Sequence, residues 1–580
     1  MYITKSISNG GKMKPSYLPA KTALKIFFII TLVIQSSALF SEEYSKQSLI
    51  IKFKQGTELF RDARLYAPKS LSENLVAGSV NMNRNSALNI FMQQCNILTL
   101  KALKPDADMT PLHGGIERIF IIEINPGAVS IETARDYISK NLQIEYAEFD
   151  YIGYGGGYFG GSNFSQNTSL VPNDPSFGNQ WGLRNTGQTI NGVAGTSGGD
   201  INAVNAWDIT TGTNLIVSIL DSGMPLTHPE FSGRMLQGYD YANNDNNPTD
   251  DHGHGTNVGS IVGAKGNNGS LMAGVNWNCR IIPVKILNAS NSGQYSWFAS
   301  GITYAVDNGA KVLNMSVGGQ SYSQAMADAV TYAFNNGRIV VACMMNNNNN
   351  VTYYPAGLNN VIAIGAINNR MFRAVPFCWG GGSSFGSHID FAAPGEMILG
   401  LVYNNPNSTN YWCGTSQATP MTAGVISLLL GVNPSLTFND IYNALKNSAR
   451  DQVGPANEDT PGFDNYFGWG LIDSRGALNQ VIGIVPISTI VPDKFGLKQN
   501  YPNPFNPVTK IRFDISKGGE NARLTVYNSN GQQVAVLVNE VVSAGTYEVE
   551  FNAGNYASGI YYYKLESGKF SDMKKMVLVK

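Results

Sequence analysis

Along residues 171–485, short runs of β-branched and other apolar residues alternate with stretches of helical period. Residues 215–220, 281–286 and 311–315 are mostly apolar, and helical patterns occupy 258–262 and 297–308 between them. Strands apolar on both faces and separated by helices predict an α/β domain, a parallel sheet covered on both sides. Loops at the carboxyl ends of such strands are where functional side chains gather. Ahead of this domain, residues 48–150 read as strand 49–53, mixed helix, strand 118–124, helix 131–141 and strand 144–148, a small α+β unit. After residue 486 the period becomes two. Ile511, Phe513 and Ile515, Leu524 and Val526, Val534 and Val536, and Tyr547, Val549 and Phe551 alternate with polar neighbours, with turns at Asn530-Gly531 and Ala544-Gly545. That pattern predicts an all-β sandwich reached through a linker at 486–494.

Two further segments lack such a pattern. Gly153-Tyr154-Gly155-Gly156-Gly157-Tyr158-Phe159-Gly160-Gly161-Ser162 is expected to be a flexible, cleavable linker, because each glycine loses much backbone freedom in a regular element. At the start, Lys5, Lys12, Lys14, Lys21 and Lys25 precede the apolar run 26–34, and Ser36-Ser37-Ala38 offers small residues for a signal peptidase. A membrane anchor is the alternative, but the run falls short of the ~18–20 apolar residues a spanning helix needs. The expected division is therefore a signal peptide at 1–38, a pro-segment with glycine linker at 39–160, an α/β domain at 171–485 and a sandwich at 495–580.

Composition narrows the function. The 580 residues carry 40 basic and 41 acidic side chains, and only 14% are charged, which argues against a nucleic-acid binder held by a broad basic face. Loss of residues 1–38 removes five lysines and no acid, leaving 35 basic against 41 acidic residues in a mildly acidic exported chain. Five cysteines, at 95, 279, 343, 378 and 413, are too few and scattered for a disulfide framework or a zinc ribbon. Buried free thiols and a Cys378–Cys413 bridge both remain open.

With five histidines in the chain, general-base candidates are scarce. His254 lies in Asp251-His252-Gly253-His254-Gly255-Thr256-Asn257, which by itself reads equally as a surface loop or a metal pair. Asp221 closes the strand 215–220; a carboxylate there needs a partner such as an imidazole N–H, or else simply caps a turn. Ser416, in Cys413-Gly414-Thr415-Ser416-Gln417-Ala418-Thr419-Pro420, precedes the apolar helical run 421–430. A helix start there would stabilise developing negative charge, or use the serine as a plain N-cap. Ala418 breaks a Gly-x-Ser-x-Gly elbow and removes the main signature of an α/β-hydrolase.

Taken together the three residues are specific, because Asp, His and Ser with gaps of 33 and 162 residues follow the order of subtilisin. Residues 173–480 closely resemble the subtilisin-like serine proteases. The resemblance rests on Asn173-Asp174-Pro175, Gln180-Trp181-Gly182-Leu183, Asp221-Ser222-Gly223, His254-Gly255-Thr256, Pro283-Val284-Lys285, Asn314-Met315-Ser316-Val317-Gly318-Gly319, Ala392-Ala393-Pro394-Gly395 and Gly414-Thr415-Ser416. It implies Ser416 as nucleophile, His254 as general base and acid, and Asp221 as the residue orienting the imidazole. It also implies an oxyanion-binding amide at Asn346, with Asn347 the runner-up because five asparagines run from 346 to 350. Ser316, Val317 and Gly318 would pair with substrate backbone, opposite Gly293-Gln294-Tyr295.

Three positions depart from the family pattern: Met345 where glycine is usual, Asn257 in place of a histidine, and Met421-Thr422 in place of His-Val. Asp240, Asn243, Asp245, Asn247 and Thr249 resemble one calcium site of the family, and Glu230 with Gly266-Asn267-Asn268 another; solvated Asn-rich loops are the alternative reading of both. Residues 50–150 resemble the family's inhibitory pro-segment. The last 86 residues, with Tyr501-Pro502-Asn503-Pro504-Phe505-Asn506-Pro507, Ala557-Ser558-Gly559-Ile560-Tyr561 and Met573-Lys574-Lys575-Met576, resemble a type IX secretion sorting domain, an adhesive or carbohydrate-binding sandwich being the alternative.

The expectation is a secreted or surface-located, monomeric serine endopeptidase made as an autoprocessed precursor, with protein or peptide substrates, structural calcium and an outer-membrane secretion machine as partner. Its rival is a catalytically silent adhesin on a protease fold.

Overall fold

A computed structural model describes residues 43–66, 75–76, 86–105, 113–155, 158–159, 171–481, 484–488, 491–517, 521–542, 544–554 and 556–580. The expected signal peptide and residues 160–170 lie outside this set. No helix among the described residues is long and apolar enough to cross a membrane.

The apolar runs of the α/β domain form a seven-stranded sheet in the order Tyr239–Asp240, Arg280–Lys285, Ile216–Asp221, Val312–Met315, Ile339–Cys343, Val361–Ile367, Phe391–Pro394. Every neighbouring pair is parallel. Side chains that alternate along one strand serve two cores. Val217 and Ile219 pack with the helices His254–Gly263 and Thr415–Val432, while Leu220 packs with Tyr295–Asp307 and Gln324–Asn335 on the other face. This arrangement puts the two helices that begin at His254 and Thr415 on one side and leaves the second pair to receive the N-terminal unit.

That unit is an antiparallel sheet, Ile144–Gly155, Tyr44–Phe53, Ile119–Ile124, Ile97–Ala102 and Leu75–Val76, in that order. Leu49, Phe53, Phe60, Phe91, Phe120 and Ile122 build its own core with the helices Glu58–Tyr66, Ala87–Gln94 and Ile131–Ile138. Its opposite face contributes Ile50, Ile116 and Ile119 to the second core of the α/β domain. Two carboxylates fix the docking. Glu148 accepts hydrogen bonds from Ser323 Oγ (2.7 Å), Gln324 N (2.9 Å) and Ala325 N (3.1 Å) at the start of Gln324–Asn335. Asp150 accepts from Ser296 N (2.9 Å) and Ser296 Oγ (2.6 Å) at the start of Tyr295–Asp307. Both neutralise free N–H groups at a helix N-terminus, where negative charge is favoured. Lys52 adds a 2.6 Å ion pair to Asp328.

The glycine stretch departs from expectation. Gly153, Tyr154 and Gly155 are the end of a strand that lies between Ser292–Gln294 on one side and Val317–Gly318 on the other, antiparallel to both. Tyr158–Phe159 then pairs with Trp412–Cys413. The glycines are there for space rather than freedom. A Cβ on Gly153 would stand 2.5 Å from the Phe298 ring, and one on Gly155 would stand 2.4 Å from Asn291 Oδ1. Backbone hydrogen bonds to two neighbours offset the entropy that the glycines lose.

Two four-stranded sheets form the C-terminal sandwich: Ile484–Ser488, Gly545–Asn552, Val508–Ile515, Gly496–Leu497, and Gln533–Val541, Asn521–Asn528, Gly559–Ser567, Phe570–Leu578. The expected linker therefore begins as structure, since Ile484–Ser488 pairs with Thr546–Val549. Cys378 and Cys413 are bridged, with Cα atoms 6.1 Å apart, and Cys95, Cys279 and Cys343 are buried free thiols.

Replacing Gly153 by valine should cost about 1–3 kcal/mol by forcing side chains into an occupied space. Calorimetry of the unprocessed chain measures it, and an unchanged melting temperature would show that residue 153 does not lie between these walls.

Candidate active site

The strand Ile216–Asp221 delivers Asp221 to the carboxyl edge of the parallel sheet, where its Oδ1 lies 2.6 Å from His254 Nδ1. Both side chains are 0% exposed. The same oxygen accepts the Ser222 N–H at 2.7 Å. His254 opens its helix after Gly253, whose φ of 105° belongs to the left-handed region that favours glycine. Among the described residues His254 Nε2 has no hydrogen-bond partner, and Trp412 meets the imidazole edge-on with ring centroids 5.9 Å apart.

Ser416 is the second residue of Thr415–Val432. Its hydroxyl donates to Ser316 O at 3.0 Å, and Ser316 Oγ donates in return to Ser416 O at 2.9 Å. Asn346 is buried beside them, its Oδ1 accepting from Thr415 N (2.8 Å) and Thr415 Oγ1 (3.0 Å). With that oxygen occupied, its Nδ2 is the group left to donate to a ligand. Asn347, by contrast, is exposed, and its backbone N–H donates to Ser384 Oγ at 3.1 Å. Met345 takes φ 65°, the conformation that a glycine at this position adopts without strain.

Of the residues expected to pair with substrate, Ser316 lies beside Ser416, and Val317 and Gly318 pair with the end of the strand Ile144–Gly155. Val317 is opposite Gly155 and Gly318 opposite Tyr154, while Gly293 on the far wall is opposite Gly153. The N-terminal unit thus places its own last strand along the surface expected to receive substrate.

Asp250 had no role assigned from the sequence, yet it organises the site. It is buried and accepts from Ser222 Oγ (2.8 Å), His252 N (3.0 Å), Gly253 N (2.9 Å) and Thr256 N (2.9 Å), and also from Thr256 Oγ1. These bonds lock the Asp221 loop to the start of the His254 helix. The only sequence signal was an acid just ahead of a glycine-rich helix start. Lys285, noted only as part of a motif, is buried and donates to Ser222 O (2.8 Å), Leu287 O (2.9 Å) and Asp251 (2.6 Å).

The expected metal residues fall in two places. Asp240 accepts from Asn243 N and Nδ2 (both 2.9 Å), Asp245 from Asn247 N (2.8 Å), and Asn247 from Thr249 Oγ1 (2.6 Å), with Asp245 and Asn247 exposed. Elsewhere Glu230 is buried beside Asp174, and among the described residues its Oε1 has no hydrogen-bond donor while Oε2 accepts from Asn268 Nδ2 at 3.1 Å. Asp174 accepts from Asn267 N (2.6 Å) and Asn268 N (3.2 Å), and Asn267 Oδ1 accepts from Asn173 N (3.1 Å). Asp174 is a neighbour that the sequence reading did not assign to the site. Burial, reinforced by the Asp174 charge, pushes the Glu230 carboxyl above its ordinary range.

Comparison with known proteins agrees with this geometry. The profile of the subtilase family matches residues 212–470, and that of the secretion system C-terminal sorting domain matches 499–580. A thermophilic serine proteinase of Bacillus sp. (strain AK1) is 32% identical over 351 residues, covering 60% of this chain and 76% of that protein. Thermitase of Thermoactinomyces vulgaris is 35% identical over 310 residues, 53% of this chain and 99% of thermitase. The chain belongs to the subtilase family. Subtilisin DY of Bacillus licheniformis, 35% identical over 271 residues, covers 46% of this chain and 91% of its own. This subtilase is a serine-type endopeptidase with a type IX sorting domain, hence a secreted or cell-surface protein that acts on protein substrates.

Burial pushes the Asp150 carboxyl of this subtilase from 3.8 up to about 6, against the lowering pull of hydrogen bonds from Ser296 and Ser48. Glu148 is raised by burial as well. A carboxyl raised on docking holds its proton better in place than when free. The docked state is therefore most favoured below about pH 4, loses that advantage as pH climbs, and has lost it above about 6. If the chain is cut between the N-terminal unit and the α/β domain, that unit should dissociate more readily at pH 7.5 than at pH 5, and Asp150→Asn should flatten the difference. Size-exclusion chromatography across this range reads both.

Proposed function

We propose that Ser416, His254 and Asp221 are the nucleophile, the general base and its orienting carboxylate of an acyl-enzyme mechanism. The observation that carries this reading is the 2.6 Å Asp221–His254 bond between two wholly buried side chains, with Nε2 left without a partner. A bond at Nδ1 fixes the tautomer in which Nε2 can accept a proton. As the chain stands, the Ser416 hydroxyl is engaged by Ser316 O, so attack requires rotation about χ1 towards Nε2. The proton taken by His254 then passes to the leaving amine, and water repeats the cycle on the acyl-enzyme. Negative charge on the tetrahedral oxygen would be met by Asn346 Nδ2 and the Ser416 N–H at the helix start.

Residues 39–160 act as an inhibitory pro-segment, following a signal peptide at 1–38; the protease spans 171–485 and the sorting domain 495–580, and the mature enzyme works as a monomer. Inhibition follows from the strand that fills the cleft between Val317–Gly318 and Ser292–Gln294. Because the chain enters as Ile144–Gly155 and leaves as Tyr158–Phe159 along Trp412–Cys413, the bond cut in autoprocessing lies between Gly155 and Tyr158. Ser416→Ala should abolish labelling by a fluorophosphonate, abolish casein hydrolysis and leave the precursor whole. Asn346→Ala should lower kcat by about 10²–10³. A wild-type protein that folds but takes no label contradicts the mechanism.

Calcium fits best at Glu230, where two buried carboxylates approach each other and Oε1 lacks a donor. Glu230, Asp174 and the amide oxygens of Asn267 or Asn268 would hold it, and a hard cation suits such oxygens. Asp240, Asp245 and Asn247 would have to give up their own loop hydrogen bonds to bind a second ion. Calcium at a hundredfold excess over Kd would add about 2.7 kcal/mol of stability. The melting temperature should fall in EDTA and recover with calcium, and Glu230→Gln should remove most of this response; an equal response in the variant points away from Glu230.

A further inference from the structure

The surface beyond Ser416, on the side of the leaving group, holds two tryptophans that the proposed mechanism does not use. Trp379 sits between Cys378, bridged to Cys413, and Gly380, whose φ is 100°. Its Nε1 donates to Cys413 O at 2.8 Å, and its ring stacks on Phe377 with centroids 5.8 Å apart. A Cβ on Gly381 would meet both the Trp379 ring (3.0 Å) and Asn346 O (2.6 Å), so the indole reaches from Cys413 to the edge of the Asn346 turn. A covalent bridge and a hydrogen bond hold Trp379, yet it remains 37% exposed. Such anchoring without burial suits a recognition surface better than a core. Trp412, the residue before Cys413, lies edge-on to His252 and His254 at 6.2 and 5.9 Å.

The chain's own path shows what passes this place. Phe159 is opposite Trp412 and Tyr158 opposite Cys413 in an antiparallel pair. Residues on the leaving side of the cut bond therefore run as an added strand along Trp412–Cys413, the segment whose Cys413 carbonyl holds Trp379. Backbone pairing accepts any sequence, so side-chain choice must come from the walls. Between Gly155 and Gly161 the only residues that are not glycine are Tyr158 and Phe159.

Resting on the reading of Ser416 as nucleophile, we propose that Trp379 and Trp412 form a leaving-side subsite that selects substrates with tyrosine or phenylalanine within the first three residues after the cut bond. The Cys378–Cys413 bridge is the anchor that keeps Trp379 in place.

Mature enzyme would be assayed on internally quenched peptides with one fixed upstream half and with Phe, Tyr, Leu, Ala, Gly or Asp in those three positions. The wild type should favour Phe or Tyr over Gly at least tenfold in kcat/KM. Trp379→Ala should reduce that ratio below threefold, while Trp379→Phe, which keeps a ring, should retain most of it. A wild-type ratio near one, or a Trp379→Ala ratio equal to the wild type's, overturns the proposal. Partition of the acyl-enzyme between phenylalaninamide and glycinamide tests the same wall without any substitution: preferential capture of the aromatic amide supports it and equal capture defeats it. Wild-type protein that cleaves none of the peptides would instead count against the mechanism itself.

Discussion

The hydrogen bond between Asp221 and His254 sets the terms for the rest of the molecule. Taking a carboxylate and an imidazole wholly out of water is costly unless each meets a partner in good geometry. The parallel sheet supplies one group at a strand end and a helix start supplies the other, and neither element can shift without breaking the pair. Asp250 carries much of this constraint, because one buried carboxylate gathers the Ser222 hydroxyl and the N–H groups ahead of the His254 helix. Lys285 performs the complementary task by donating to the carbonyl groups of Ser222 and Leu287. Asp221 and His254 thus rest on a network of buried charged residues around them.

The architecture was legible where the residues carry a period. Runs such as 281–286 announce a strand buried on both faces, and the alternation of Ile511, Phe513 and Ile515 announces one face of a sandwich; both lie within a residue or two of the observed elements. Asp221, His254 and Ser416 were legible through spacing, since each alone had an ordinary structural use. Other features depend on partners distant in the chain. Glycines at 153 and 155 read as a linker because nothing local reveals that Phe298 and Asn291 will stand against them. Asp250 received no role because its five donors meet only after folding, and Asp174 was read only as part of a motif because its neighbour Glu230 lies 56 residues away. Cys378 and Cys413 had no spacing to pair them until the sheet brought their segments together.

The N-terminal unit and the α/β domain meet through two kinds of contact that reinforce each other. Apolar residues of one face, Ile50, Ile116 and Ile119, merge with the core behind the helices Tyr295–Asp307 and Gln324–Asn335, which gives area but little direction. Direction comes from Glu148 and Asp150 at the ends of those helices, because each carboxylate must meet particular N–H groups.

Glu148 and Asp150 are two residues apart on one strand, so they share a face and reach two helix ends at once. A slip of one residue would turn both carboxylates to the opposite face and strand them without donors. The pair therefore works as a ruler. By fixing where the strand begins its passage along the α/β domain, it determines which residue arrives opposite Val317 five positions later.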